Sequence, residues 1–140
     1  MRLLLTFIFL FILTFPAFAE DFVIVANREG PLKTAEVGMV KDIYLGEIRF
    51  VNNVKLKPIN LTEGEVKNDF LLTVVGVSAK EYKLHWIKKV FQEGLTLPRF
   101  LRSVDEVLAH VRSEKGALAY IPMSEVSKIK KDGQVVILQR

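Results

Sequence analysis

From residue 22 onward the apolar positions follow two different periods, and the switches between them divide the chain into elements. Phe22-Val23-Ile24-Val25-Ala26 is continuously apolar and rich in β-branched side chains, and the turn-forming run Asn27-Arg28-Glu29-Gly30-Pro31 closes it. Such a run predicts a strand buried on both faces, the kind a parallel sheet between two helical layers requires. Val37, Val40 and Tyr44 then recur at helical spacing. Thr34 is the predicted cap of this helix, Glu36 falls in its first turn, and Gly46 is placed to end it. Gly38, in its interior, costs about 1 kcal/mol against alanine and so predicts a close backbone contact.

Asn52-Asn53 is a turn signal, and Val54 to Asn60 alternates as a second strand, with Pro58 demanding an edge position or the strand's end. Two helices follow. Val66, Phe70, Leu71 and Val74 form the apolar stripe of the first, which stops near Gly76. The second opens with Ser78 and Glu81 in capping-box spacing, carries Tyr82, Trp86, Ile87, Val90 and Phe91 on one side, and halts at Gly94. Leu97-Pro98 reads as a connecting loop. Ser103 and Glu106 form another capping box ahead of Val104, Val107, Leu108 and Val111, and Lys115-Gly116 breaks that helix. Ala117 to Ile121 returns as a strand ended by Pro122, a short helix covers 124–131, Asp132-Gly133 is a turn, and Val135 to Leu138 is the last strand. Strands alternating with helices predict an α/β fold, a layered sandwich with a mainly parallel sheet.

The N-terminus obeys a different pattern. Arg2 precedes a run from Leu3 to Phe15 that is apolar except for Thr6 and Thr14, and Pro16-Ala17-Phe18-Ala19 ends it with small residues. This is the three-part form of a secretory signal, cleaved after Ala19. The run is short for a membrane span, which needs roughly 20 residues. The expected organisation is a signal peptide over 1–19 and one domain over 20–140, exported to the periplasm.

Removing residues 1–19, whose only charge is Arg2, leaves 121 residues with 19 basic and 16 acidic side chains, net +3. That mild excess lies largely in Lys128-Ile129-Lys130-Lys131, Arg99 and Arg102, which read as solvated faces; no nucleic-acid partner is expected. The chain has no cysteine, which excludes disulfides, a thiolate nucleophile, Cys-bound zinc and a lipid anchored on cysteine at the cleavage site.

Signatures of catalysis are missing. His85 and His110, the only histidines, sit in amphipathic helices and are expected to be structural or at the surface. No G-x-S-x-G, H-E-x-x-H or P-loop occurs, and Glu36, Glu81 and Glu106 already serve helix starts. No catalytic residue, metal or cofactor is predicted. Trp86 with Tyr82 and Phe91 is expected in the core rather than on a ligand platform. Ligand contacts are expected at strand ends, where open α/β sheets bind. Those positions are Asn27 and Arg28 after the first strand and Thr62, Glu63 and Gly64 after the second.

Three segments carry a family likeness: Asp42-Ile43-Tyr44-Leu45-Gly46-Glu47-Ile48 with Phe50, the spacing of Phe70, Trp86, Phe91 and Gly94, and Val111 to Ile121 with Gly116-Ala117-Leu118-Ala119-Tyr120. Together they resemble the phosphate-binding proteins of ABC transporters, of type II periplasmic binding-protein fold, and more narrowly the short secreted members that keep one lobe. The resemblance covers about residues 22 to 125. It implies a non-enzymatic binding protein for phosphate or a related anion and a membrane transporter as partner.

It also exposes a departure. The family's anion-gripping arginine falls on Thr62 and its Ser-Gly-Thr run on Val66-Lys67-Asn68, none of which matches. The loop is instead Thr62-Glu63-Gly64-Glu65, whose two carboxylates repel an anion at a helix start. One lobe also offers only an open half-site, because ligands of this fold are enclosed by closure of two lobes. Weak anion binding is therefore one expectation. An adaptor or sensor module that docks a membrane protein, or a second copy of itself, is the other.

Overall fold

A computed structural model describes residues 21–34 and 36–138; the signal-like segment 1–19 lies outside the described residues. The elements are β1 (Phe22–Asn27), α1 (Val37–Tyr44), β2 (Phe50–Val51), β3 (Val54–Lys55), β4 (Lys57–Leu61), α2 (Glu65–Phe70), α3 (Ala79–Glu93), β5 (Arg99–Leu101), α4 (Val104–Ser113), β6 (Ala117–Pro122) and β7 (Val135–Leu138). A π-helical turn, Leu71–Val75, continues α2, and a 3-10 turn, Met123–Lys128, follows β6.

Five strands form one sheet in the order β5-β4-β6-β1-β7. β4 runs parallel to both β5 and β6, whereas β1 is antiparallel to both β6 and β7. Four strands therefore share one direction and β1 alone opposes them, so the layered, mainly parallel α/β architecture stands with a single reversal. That reversal corrects the reading of β1 as a strand of parallel pairing. An apolar run is buried equally well in either direction, and its neighbours, which decide between them, lie nearly 100 residues downstream.

Local chemistry explains most element boundaries. Asn52 and Asn53 both adopt positive φ, as a type I′ hairpin turn demands, and join β2 to β3. The predicted strand over 54–60 is thus two strands, the first in this hairpin and the second in the main sheet. Pro58 sits near the start of β4, before the pairing with β5 begins at Ile59, so its missing N–H breaks no ladder on that side. Ser78 and Glu81 form both bonds of the capping box. At α4, Ser103 Oγ accepts from the Glu106 N–H, but the Glu106 carboxylate turns to the Arg102 N–H instead.

Other expectations shift. Thr34 does not cap α1; Glu36 occupies the cap position without a side-chain bond. Gly38 faces open space, so no close contact explains it. Gly46 does end α1: its N–H donates to Ile43 O and that of Glu47 to Asp42 O, a Schellman closure at φ +77°. The stripe predicted on α3 is split. Tyr82 and Trp86 are buried, but Ile87 and Phe91 are exposed. Gly116 does permit a close approach, since a Cβ there would lie 1.9 Å from Lys55 O.

The core gathers around an aromatic cluster. Phe70 stacks on Tyr120 with ring centroids 4.0 Å apart and meets Tyr44 and Phe22 edge-on at 4.7 and 5.5 Å. Beyond area burial, such pairs contribute about 0.5–1.5 kcal/mol each. The π-helical turn lets Leu71, Val74 and Val75 all point inward.

Candidate functional site

Because β4, β5, β6 and β7 share a direction, their C-terminal ends lie along one edge of the sheet. Thr62, Glu63 and Gly64 leave β4 at that edge. β1 runs the other way, so Asn27 and Arg28 lie at the opposite edge, beside the start of β7. The two halves of the predicted site are not brought together.

Asn27 is 3 % exposed, and its side chain is committed. Its amide donates to Val111 O at 2.8 Å and Arg112 O at 3.1 Å, closing the last turn of α4, while its Oδ1 accepts from the Glu29 N–H at 2.9 Å. Arg28 is exposed and holds Gln134 O through its backbone N–H.

At the other edge, the Thr62 N–H extends the ladder to Leu101 O, and Thr62 O accepts from Lys67 Nζ at 3.0 Å. Glu63, Gly64 and Glu65 are exposed. Gly64 is the cap residue of α2 and brings no side chain to it. Burial lowers the Lys67 ammonium below the usual lysine range, and Glu63 opposes the shift. Val66, the first of the positions aligned with the family's hydroxyl run, is buried in the core, so no anion-facing group could stand there.

Beneath this loop lies a polar network that periodicity did not reveal. Asn60, fully buried, donates to Tyr82 Oη at 3.0 Å and accepts from the Tyr120 hydroxyl at 3.2 Å. The Leu61 N–H donates to Tyr120 Oη, and the Tyr44 hydroxyl donates to Ile59 O at 2.9 Å. Burial pushes Tyr82 up to about 12 and raises Tyr44 and Tyr120 well above the ordinary phenol value. These hydroxyls stay protonated and tie the end of β4 to its neighbours. An asparagine between Ile59 and Leu61 was the available signal: a polar residue inside an apolar strand must find partners.

Beside the loop, between α3 and β5, runs a groove of about 570 Å³ lined by Thr62, Lys67, Lys80, Lys83, Ile87 and Phe100, among others. Lys67 Nζ stands 5.1 Å from the centre of the Phe100 ring. A second cleft of about 440 Å³ lies at the opposite end of β4, where Glu114 binds Lys57 and Arg99. His85 bonds Leu45 O at 2.8 Å, and His110 faces Arg99 and Glu114. Among the described residues, no group of three or more His, Asp or Glu side chains is placed to hold a metal ion, and no helix is long and apolar enough to cross a membrane. The arrangement offers surfaces for non-covalent contact.

No protein-family model and no curated protein matches the sequence. Solved structures do match the fold. An ABC-type phosphate transport receptor from Vibrio cholerae superposes at TM-score 0.62 with 16% identity, covering 86% of this chain and 46% of its own. PstS from Borrelia burgdorferi gives 0.63, 17%, 86% and 47%. A substrate-binding protein assigned to a phosphate ABC transporter in Clostridium perfringens, solved with bound phosphate, gives 0.56, 15%, 86% and 56%. This chain thus has the α/β fold of part of these receptors and spans about half the length of each.

Proposed function

We propose that this chain is an exported, non-enzymatic binding protein, a one-lobe relative of the phosphate-binding components of ABC transporters. Its signal is cleaved after Ala19, and it works in the periplasm. The observation that carries this reading is the match of nearly the whole described chain to about half of several phosphate receptors. Thr62, Glu63 and Gly64 are its ligand-facing positions, with Asn27 and Arg28 forming a separate edge. The exposed carboxylates of Glu63 and Glu65 stand at the start of α2. They offset the partial positive charge that would attract an anion, so phosphate is bound weakly at most.

A thermal-shift screen with phosphate, sulfate and small carboxylates tests this. A specific ligand at 100 times its dissociation constant adds about 2.7 kcal/mol. Stabilisation by one of these anions supports the ligand reading, and none with any of them removes it. Mass spectrometry of the exported protein should find Glu20 at the N-terminus; recovery of the whole chain in membranes would reverse the assignment of compartment.

A second reading is favoured by one observation. Leu84, Ile87 and Phe91 are exposed together on α3, which suits an adaptor or sensor module that docks another protein.

A further inference from the structure

Helix α3 presents opposite chemistries on its two sides. Tyr82 and Trp86 face the core. On the outside, Leu84, Ile87 and Phe91 are 56%, 42% and 86% exposed. Their i, i+3, i+7 spacing sets them in one line about 10 Å long on a helix. Ile87 also lines the groove between α3 and β5, where Leu97 and Phe100, at 53% and 39% exposure, extend the apolar surface. Stripe and groove therefore form one continuous face.

That face is bordered by positive charge. Lys67, Lys80 and Lys83 line the groove, and helical spacing sets Lys88 on the flank of the stripe. Among the described residues, Lys80, Lys83 and Lys88 form no ion pair; Lys89, by contrast, is engaged by Glu47 and Glu93. The carboxylates on the adjoining elements are Glu63, which acts on Lys67, Glu65 at the exposed start of α2, and Glu81, which caps its own helix.

We propose that this face docks an acidic amphipathic helix of a partner protein, its apolar edge along Leu84, Ile87 and Phe91 and its carboxylates against Lys67, Lys80 and Lys83. The proposal deepens the docking reading and rests on that reading alone. A small anion would occupy only a part of the groove and leave Leu84 and Phe91 in water. A second copy meeting this face symmetrically would set the same lysines against one another. A flat lipid surface cannot follow the groove, whereas a helix laid into an apolar groove can.

The test uses the full mature chain and a fluorescein-labelled peptide with leucines at i, i+3, i+4 and i+7 and glutamates on the flanks. A control peptide carries lysine in place of each glutamate. Fluorescence anisotropy should show saturable binding of the acidic peptide and at least about tenfold weaker binding of the control, about 1.4 kcal/mol. Lys80→Glu with Lys83→Glu, both at exposed positions, should weaken the acidic peptide about tenfold and improve the control. Ile87→Ser with Phe91→Ser should weaken both peptides, with far-UV circular dichroism unchanged. Equal binding of the two peptides, or binding that the variants leave unchanged, overturns the proposal. So does dimerisation abolished by Phe91→Ser, or attachment to phosphatidylglycerol vesicles without peptide binding. The anion screen bears on neither peptide, so the two readings fail separately.

Discussion

The indole N–H of Trp86 donates to the backbone carbonyl of Tyr44 at 3.0 Å, bolting α3 to the last turn of α1 across 42 residues of sequence. The same ring covers Gly46, where a Cβ would come within 2.8 Å of it. His85, one position earlier, bonds Leu45 O. Three consecutive residues at the end of α1 thus meet two side chains of α3, which fixes the helix whose outer face carries the proposed docking stripe.

Trp86→Ala should cost about 3–5 kcal/mol by chemical denaturation, since it removes a 5 %-exposed ring and its bond together. Trp86→Phe should keep most of the packing and lose the bond, at about 1–3 kcal/mol for a buried carbonyl left unpaired. Near-normal stability of the alanine variant would place the ring outside the core.

Two glycines of neighbouring position should respond in opposite directions. Gly46→Ala combines a left-handed backbone with a clash against Trp86 and should destabilise by at least about 1–3 kcal/mol. Gly38→Ala meets only open space inside α1 and should stabilise by about 0.5–1 kcal/mol. Thermal melts of the two single variants would decide, and loss of stability on Gly38→Ala would contradict the open environment.

The buried tyrosines set the alkaline limit. In the unfolded chain a phenol ionises near 10.0, but in the fold Tyr82 holds its proton to about 12. Tyr44 and Tyr120 are raised in the same direction by burial. Above pH 10 the unfolded state therefore binds fewer protons, and stability falls as pH rises, by about 1.4 kcal/mol per pH unit for each such group. Below pH 10 this contribution is fully present. Tyr82→Phe should reduce the slope between pH 10 and 12 by one proton in urea titrations; an unchanged slope would contradict its buried, protonated state.

Asn27→Ala should lower stability by about 1–3 kcal/mol through the carbonyls of Val111 and Arg112 it leaves behind. Any ligand found at the Thr62 edge should bind this variant unchanged. Loss of binding in a still-folded variant would restore Asn27 as a contact residue.

The strand-end loop can be rebuilt toward an anion site. Glu63→Gln with Glu65→Gln removes repulsion and should raise phosphate affinity little by calorimetry. Adding Thr62→Arg and Asn68→Thr supplies a forked donor and a hydroxyl, and should bring binding to about millimolar, about −4 kcal/mol. Val66 must stay, because it is core. Micromolar phosphate binding by the unaltered protein would show that another part of the surface holds the anion.

Whatever depends on a few neighbouring residues was legible in the sequence alone: the Ser78–Glu81 box, the stops at Gly46 and Gly94, the Asn52-Asn53 turn and the burial of Phe22 to Ala26, all but the half-buried Val23. Capping, turn geometry and apolar periodicity are local properties, so a window of the chain contains their cause. Tertiary structure decided the rest. The direction of β1, and with it the separation of Asn27 from Thr62, is set by pairing with β6 and β7. β5 escaped notice because three residues, two of them exposed, become a strand only when β4 and Thr62 offer bonds. Phe91 shares a helical period with Trp86 yet stands in solvent. The pattern marks it as apolar, but only the position of neighbouring elements determines whether anything covers it, and none of the described residues does.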